Sequence, residues 1–334
     1  MLDALVTFLL LIWGSQLELL KSDRYVHEEQ ISVELMTLVL RVIDDAGRPI
    51  EHLTPADFVI RHKRRQIPAV AVEWIEGSSG PLRETTSEAE SPRALAPRLI
   101  VLWVQTDLHS IRISGLLHIQ PFIRRLLDSF AKEDLVAVAS FDSRLKLWQD
   151  FGRDREAQAR AVEDAVRFGK APILRRSGQP SLAEHMDFRA AHAAATAEAA
   201  LRVTADSLRP MPGEKILIYL GWGLGRRGSH GFSMTGDYLT ARQALAAAQT
   251  SVFVLDITNA DYHTLEIGLR TVAADTGGTY EKTNRYSQQA VEKLIRAISG
   301  YYVLTLDRSG LSDPLPDLEI RVPGRQARIL IRGQ

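Results

Sequence analysis

A polar cluster, Gln105, Thr106, Asp107, His109 and Ser110, follows directly on the apolar run Leu99 to Val104 in RLIVLWVQTDLHS. The run reads as a fully buried strand. Carboxylate, hydroxyl and amide oxygens at the end of such a strand are the donors that a hard cation such as magnesium takes. Without an ion, the same groups can meet a partner directly. Ligands of open α/β sheets bind beyond the C-terminal strand ends, and Asp142, Trp222 and Asp256 also follow apolar runs. Trp222, between Gly221 and Gly223, is expected to be an exposed interface anchor. The competing reading is that these residues cap strand ends and solvate loops.

Other patterns carry less. GWGLGRRG, residues 221–228, follows a strand, yet the third glycine of a dinucleotide fingerprint falls at Arg226 and Trp222 crowds the turn. GSHG, residues 228–231, sets serine beside histidine without the G-x-S-x-G spacing of a nucleophile elbow. His185 and His192, seven apart, would share one helix face but lack a metalloprotease carboxylate. RHKRR, residues 61–65, reads as a charged hairpin turn. The absence of cysteine excludes disulfides, thiolate metal sites and cysteine nucleophiles.

The elements that must position the cluster are readable. The 334 residues, 45% hydrophobic and 25% charged, are those of a folded chain with two domains. Forty-one basic against forty-one acidic residues give a net charge of zero, which argues against a nucleic-acid partner. ALVTFLLLIW, residues 4–13, is too short to span a bilayer and fits the core of a secretory signal within residues 1–27, although Asp3 stands where a signal carries a base. Any membrane contact is expected only through that segment. Residues 28–76 alternate as strands around the turn DAGRP, and residues 77–97 have linker composition.

Residues 98–300 then alternate buried strands with helices, predicting an α/β, doubly wound, mostly parallel six-stranded sheet. Its strands are Leu99–Val104, Leu135–Phe141, Leu145–Trp148 as an antiparallel edge, Lys215–Leu220, Ser251–Ile257 and Thr279–Lys282. Helices are predicted over Pro121–Ala131 with proline in the first turn, Arg155–Phe168, Leu182–Leu208, Asp237–Thr250, Leu265–Asp275 and Gln288–Ser299. The closing segment, 301–334, is again all strand, so the α/β domain is expected to be inserted in a small β-sandwich built from the chain ends.

ISVELMTLVLRVIDDAGRPIEHLTPADFVI, EDLVAVASFDSRLKLWQDFGRD, GEKILIYLGWG, LRTVAADTGGTYEKTN and ISGYYVLTLD, in that order and spacing, resemble the von Willebrand factor type A (VWA) fold. Within it they resemble a bacterial VWFA-related family named for acidobacterial members. The resemblance implies adhesion or complex assembly through a metal-ion-dependent adhesion site: Asp-x-Ser-x-Ser after the first strand, a threonine from a later loop and an aspartate after the fourth strand. Here Gln105, Asp107 and His109 replace the Asp and two Ser, Gly221 or Trp222 falls at the later aspartate, and Ser177 or Ser181 is left to stand for the threonine.

The expectation is therefore an exported or envelope-associated, non-enzymatic module that takes no cofactor. It binds an unidentified protein through Gln105, Asp107, His109, Ser110, Trp222 and Asp256. Its competitor is a magnesium-type, divalent-dependent module or hydrolase using Asp107 with Asp142 or Asp256.

Overall fold

A computed structural model describes residues 34–63, 65–77, 97–174, 180–229, 231–309 and 318–332. The expected signal segment, most of the linker, Ser177 and His230 lie outside them.

The chain opens with β1 (Leu35–Ile43), β2 (Val59–His62), β3 (Arg65–Ile67) and β4 (Ala69–Glu76). There follow β5 (Leu99–Gln105), the helix α1 (Ser110–Asp128), β6 (Leu135–Phe141), β7 (Leu145–Gly152) and α2 (Arg155–Val166). Three helices, α3 (Leu182–His185), α4 (Phe188–Ala193) and α5 (Ala197–Leu208), lead to β8 (Lys215–Gly221) and the hairpin β9 (Arg226–Gly228) and β10 (Gly231–Ser233). The α/β part closes with α6 (Tyr238–Ala247), β11 (Thr250–Asp256), α7 (Glu266–Asp275), β12 (Tyr280–Lys282) and α8 (Ser287–Ala297). Last come β13 (Gly300–Asp307), β14 (Leu318–Arg321) and β15 (Arg328–Ile331).

The six-stranded sheet has the order β12-β11-β8-β5-β6-β7, with every pairing parallel except β6 with β7. This is the doubly wound α/β class, with its order reversal between β5 and β8. Alternate residues of the fully buried β5 feed two cores: Val101 and Trp103 one face, Ile100, Leu102 and Val104 the other. Trp103 stacks between Phe141 and Tyr219, with ring centroids 5.8 and 4.7 Å away, and its Nε1 donates to Thr204 Oγ1 at 3.3 Å.

The chain ends pair as antiparallel strands. β1 lies between β13 and β15, in register Leu38 with Leu304 and Val42 with Ile329, and β14 pairs with β2. A separate core of Leu40, Phe58, Ile60, Tyr302 and Leu304 fills the sandwich. RHKRR does form a hairpin, β2 pairing with β3 across Lys63 at φ 56°.

Two helix expectations need correction. α1 begins at Ser110, so Pro121 is interior rather than in the first turn. A proline there gives up one backbone bond, which the burial of Leu116, Ile119, Ile123, Leu126 and Leu127 outweighs. The helix also docks closely, since a Cβ on Gly115 would lie 1.9 Å from the Ile257 carbonyl oxygen. The alanine-rich stretch is not one helix. The side chains of Ser181, Asp187 and Thr196 each accept a backbone N–H at the start of α3, α4 and α5. His185 and His192 consequently sit on different helices and share no face.

Candidate functional site

The C-terminal edge of the sheet is organised around Gln105. Its buried Oε1 accepts the backbone N–H of Trp222 at 3.0 Å and of Gly223 at 3.1 Å, tying the end of β5 to the turn after β8. A Cβ at Gly221 would lie 2.2 Å from Tyr219 Cε1 and 2.7 Å from that Gln105 oxygen. Gly221, one of the two positions where the resemblance calls for an aspartate, thus has room only for glycine, and Trp222, the other, has no ligand oxygen in its side chain.

Asp107 is half-buried and faces the first turns of α1. Its Oδ1 accepts the His109 N–H at 2.9 Å, and its other oxygen is ion-paired with Arg112. Burial pushes this carboxyl up, but the His109 N–H and the Arg112 guanidinium hold it below the usual carboxylate range. The Arg112 guanidinium carbon lies 3.3 Å from the centroid of the Trp222 ring. One side chain thereby joins the carboxylate to the aromatic face.

Trp222 is half-buried and packs against the core, so it is not the exposed anchor expected of it. Asp256 is likewise not at the surface. It is fully buried, its Oδ1 accepting Thr258 N–H at 2.9 Å and its Oδ2 meeting His263 Nε2 at 2.7 Å and the Tyr280 hydroxyl at 2.5 Å. Burial would raise its pKa, but these donors hold it low. His109 and Ser110 are exposed, Ser110 as the first residue of α1. Asp142 is ion-paired with Lys146 and accepts Ser143 N–H at 2.6 Å.

Two grooves flank Trp222. One, about 620 Å³, is lined by Asp107, Asp142, Glu198 and Asp237 among others. Glu198 is buried and accepts Gly225 N–H at 2.9 Å, while Asp237 accepts the Thr196 hydroxyl at 2.7 Å. The other, about 380 Å³, is lined by His109, Arg112, Arg227, Thr258, His263 and Thr264 on walls of Trp222 and Leu265. Ser181 lines neither; its hydroxyl donates to Asp150 at 2.5 Å beneath α3.

The donors at the strand ends do not fit an octahedral magnesium ion. Gln105 spends its oxygen on two backbone N–H groups, Gly221 has no ligand, and Asp107 already faces a guanidinium. Among the described residues one group could gather round a cation: Asp256, His263 and Glu266, whose ligand atoms lie within 4.8 Å of one another. Protein charges already serve it, with Lys282 2.5 Å and Arg270 3.3 Å from Glu266.

Sequence reasoning missed Arg112, Arg227, His263 and Tyr280. Arg112 follows Asp107 by five residues across a helix start, a signal that a helix beginning at Pro121 hides. His263 and Tyr280 reach Asp256 from loop and strand with no local pattern to announce them.

No family model matches this chain, and no curated protein matches it. Solved structures do. The PilB minor pilin of Streptococcus sanguinis is 10% identical with a TM-score of 0.36, over 62% of this chain and 60% of that one. Human COPII-coat protein Sec24c is 10% identical with a TM-score of 0.42, over 64% of this chain and 39% of that one. BatB of Bacteroides thetaiotaomicron is 15% identical with a TM-score of 0.37, over 60% of this chain and 96% of that one. The chain spans about three fifths of the pilin's length. Likenesses at this level transfer no function.

Proposed function

We propose that this chain is a non-enzymatic protein–protein interaction module of the adhesion type, exported or envelope-associated, on a VWA-type α/β domain. In this reading a metal-ion-dependent adhesion site has given way to direct side-chain contacts. The observation that carries it is Arg112, a fixed protein cation paired with Asp107 and stacked on Trp222 at the C-terminal edge of the sheet. The carboxylates nearby support it too. Asp107, Asp142 and Asp256 are all held below the usual range by protein donors, which makes them weak general bases.

The competing reading is a divalent-dependent module or hydrolase using Asp107 with Asp142 or Asp256. The Asp256, His263 and Glu266 group gives it a specific observation. Calorimetric titration of the full chain with magnesium, manganese and calcium separates the two. The interaction reading expects no saturable heat. Saturable heat that disappears in Asp107→Ala or Asp256→Asn would favour the ion-dependent one.

A further inference from the structure

The smaller groove beside Trp222 has an unusual lining. It gathers two guanidinium groups, Arg112 and Arg227, two imidazoles, His109 and His263, and two hydroxyls, Thr258 and Thr264, and no carboxylate lines it. We propose that this groove is a metal-free receptor for one carboxylate presented by an acidic peptide segment of a protein partner. The inference rests on the interaction reading above and names the chemistry of its ligand.

Charge balance selects the ligand. Arg112 is paired with Asp107 and His263 Nε2 lies 2.7 Å from Asp256, and neither carboxylate lines the groove. Arg227 is exposed, and among the described residues its guanidinium has no ion-pair partner. Arg227 thus leaves the groove one unmatched guanidinium, which suits one carboxylate better than a doubly charged phosphate. Arg112 is also held from two sides, by the Asp107 ion pair and the Trp222 face, so little side-chain freedom is lost when an anion arrives. The Arg227 guanidinium fork and the Thr264 hydroxyl match the planar carboxylate in shape as well as charge.

The surroundings favour a peptide over a free small anion. Trp222 and Leu265 give the groove apolar walls. The residues just before two of its lining side chains, Leu108 and Tyr262, are 75% and 67% exposed. Large apolar side chains beside a charged pocket offer contact area to the residues flanking a buried acid.

The test uses the immobilised full chain in chelator and low salt, and two pools of octapeptides with random flanks. One pool has a fixed central glutamate and the other a glutamine. The glutamate pool should be retained about tenfold more strongly, the scale of one charge-assisted contact. Arg227→Ala, an exposed change that spares the core, should remove that preference while its circular dichroism melt matches the parent. Equal retention of the two pools, or a preference unchanged by Arg227→Ala, would overturn the carboxylate assignment. Competition by millimolar inorganic phosphate with no peptide preference would overturn it in favour of a small-anion site. Retention that appears only when magnesium replaces chelator would instead overturn the metal-free reading on which the inference rests.

Discussion

The guanidinium carbon of Arg112 sits 3.3 Å from the centre of the Trp222 ring while the same group pairs with Asp107. The contact joins the first turn of α1 to the turn after β8, the two segments that frame the edge of the sheet. Arg112→Ala should lower stability by about 1 kcal/mol, since the pair is a third exposed and partly screened. Arg112→Lys should recover little of it, because an ammonium cannot lie flat on the indole. Urea midpoints of the two variants measure this directly.

Gln105 is the deeper keystone of the same edge. Gln105→Ala would leave the Trp222 and Gly223 N–H groups without their acceptor, and should cost about 2–3 kcal/mol. Gly221→Asp, which supplies an aspartate at one of the two positions where the resemblance calls for it, should destabilise rather than create a metal site. Its Cβ would overlap Tyr219 and the Gln105 oxygen. Denaturant unfolding with and without magnesium reads both expectations at once.

At the opposite end of the sheet, Arg41 from β1 and Arg332 from the chain end both meet Glu214 just before β8. Burial pushes Arg41 down to about 10, against the pull of Glu214. Glu214→Ala strands two buried guanidinium groups and should cost about 3–5 kcal/mol. The double change Arg41→Met with Glu214→Met should cost less than the sum of its parts, and a double-mutant cycle measures the coupling.

Acid should unfold the protein through carboxylates held low in the fold. Burial pushes Asp256 up, but His263, Tyr280 and Thr258 together bring it below its unfolded value of about 3.9. A depressed acid contributes stability above its unfolded pKa and loses it as pH falls through the folded one. Urea midpoints should therefore be flat from about pH 7 to 5 and drop below about pH 4. Asp256→Asn should lower the midpoint at neutral pH and make the acid drop shallower.

Most of the sheet was legible because β5, β6, β8 and β11 are buried on both faces and read as largely apolar runs, with Leu145 to Trp148 set off by a short turn. The closing strands could be assigned to the first β unit because no helix separates them. The helices were harder. Pro121 mimics a first-turn proline, and only the packing of Leu116 and Ile119 carries the helix back to Ser110. Asp187 and Thr196 are cap residues within an alanine-rich run and break it at positions that its composition conceals.

At the site, strand-end positions were readable while burial was not. Asp107 and Trp222 do reach one edge, and both line the acidic groove. Asp256 and Gln105 turn inward because their partners come from distant segments: Tyr280 and His263 for one, the Trp222 and Gly223 backbone for the other. Such partners follow from tertiary packing, which one sequence does not display.

In the proposed function a protein cation, not a metal, organises this edge. Its most direct test is the thermal midpoint of the full chain in chelator and then in millimolar magnesium, manganese or calcium. An ion at about a hundred times its dissociation constant would add about 2.7 kcal/mol and raise the midpoint by a few degrees. The midpoint should be the same in every buffer. A rise with any of the three ions that Asp107→Ala abolishes would contradict it.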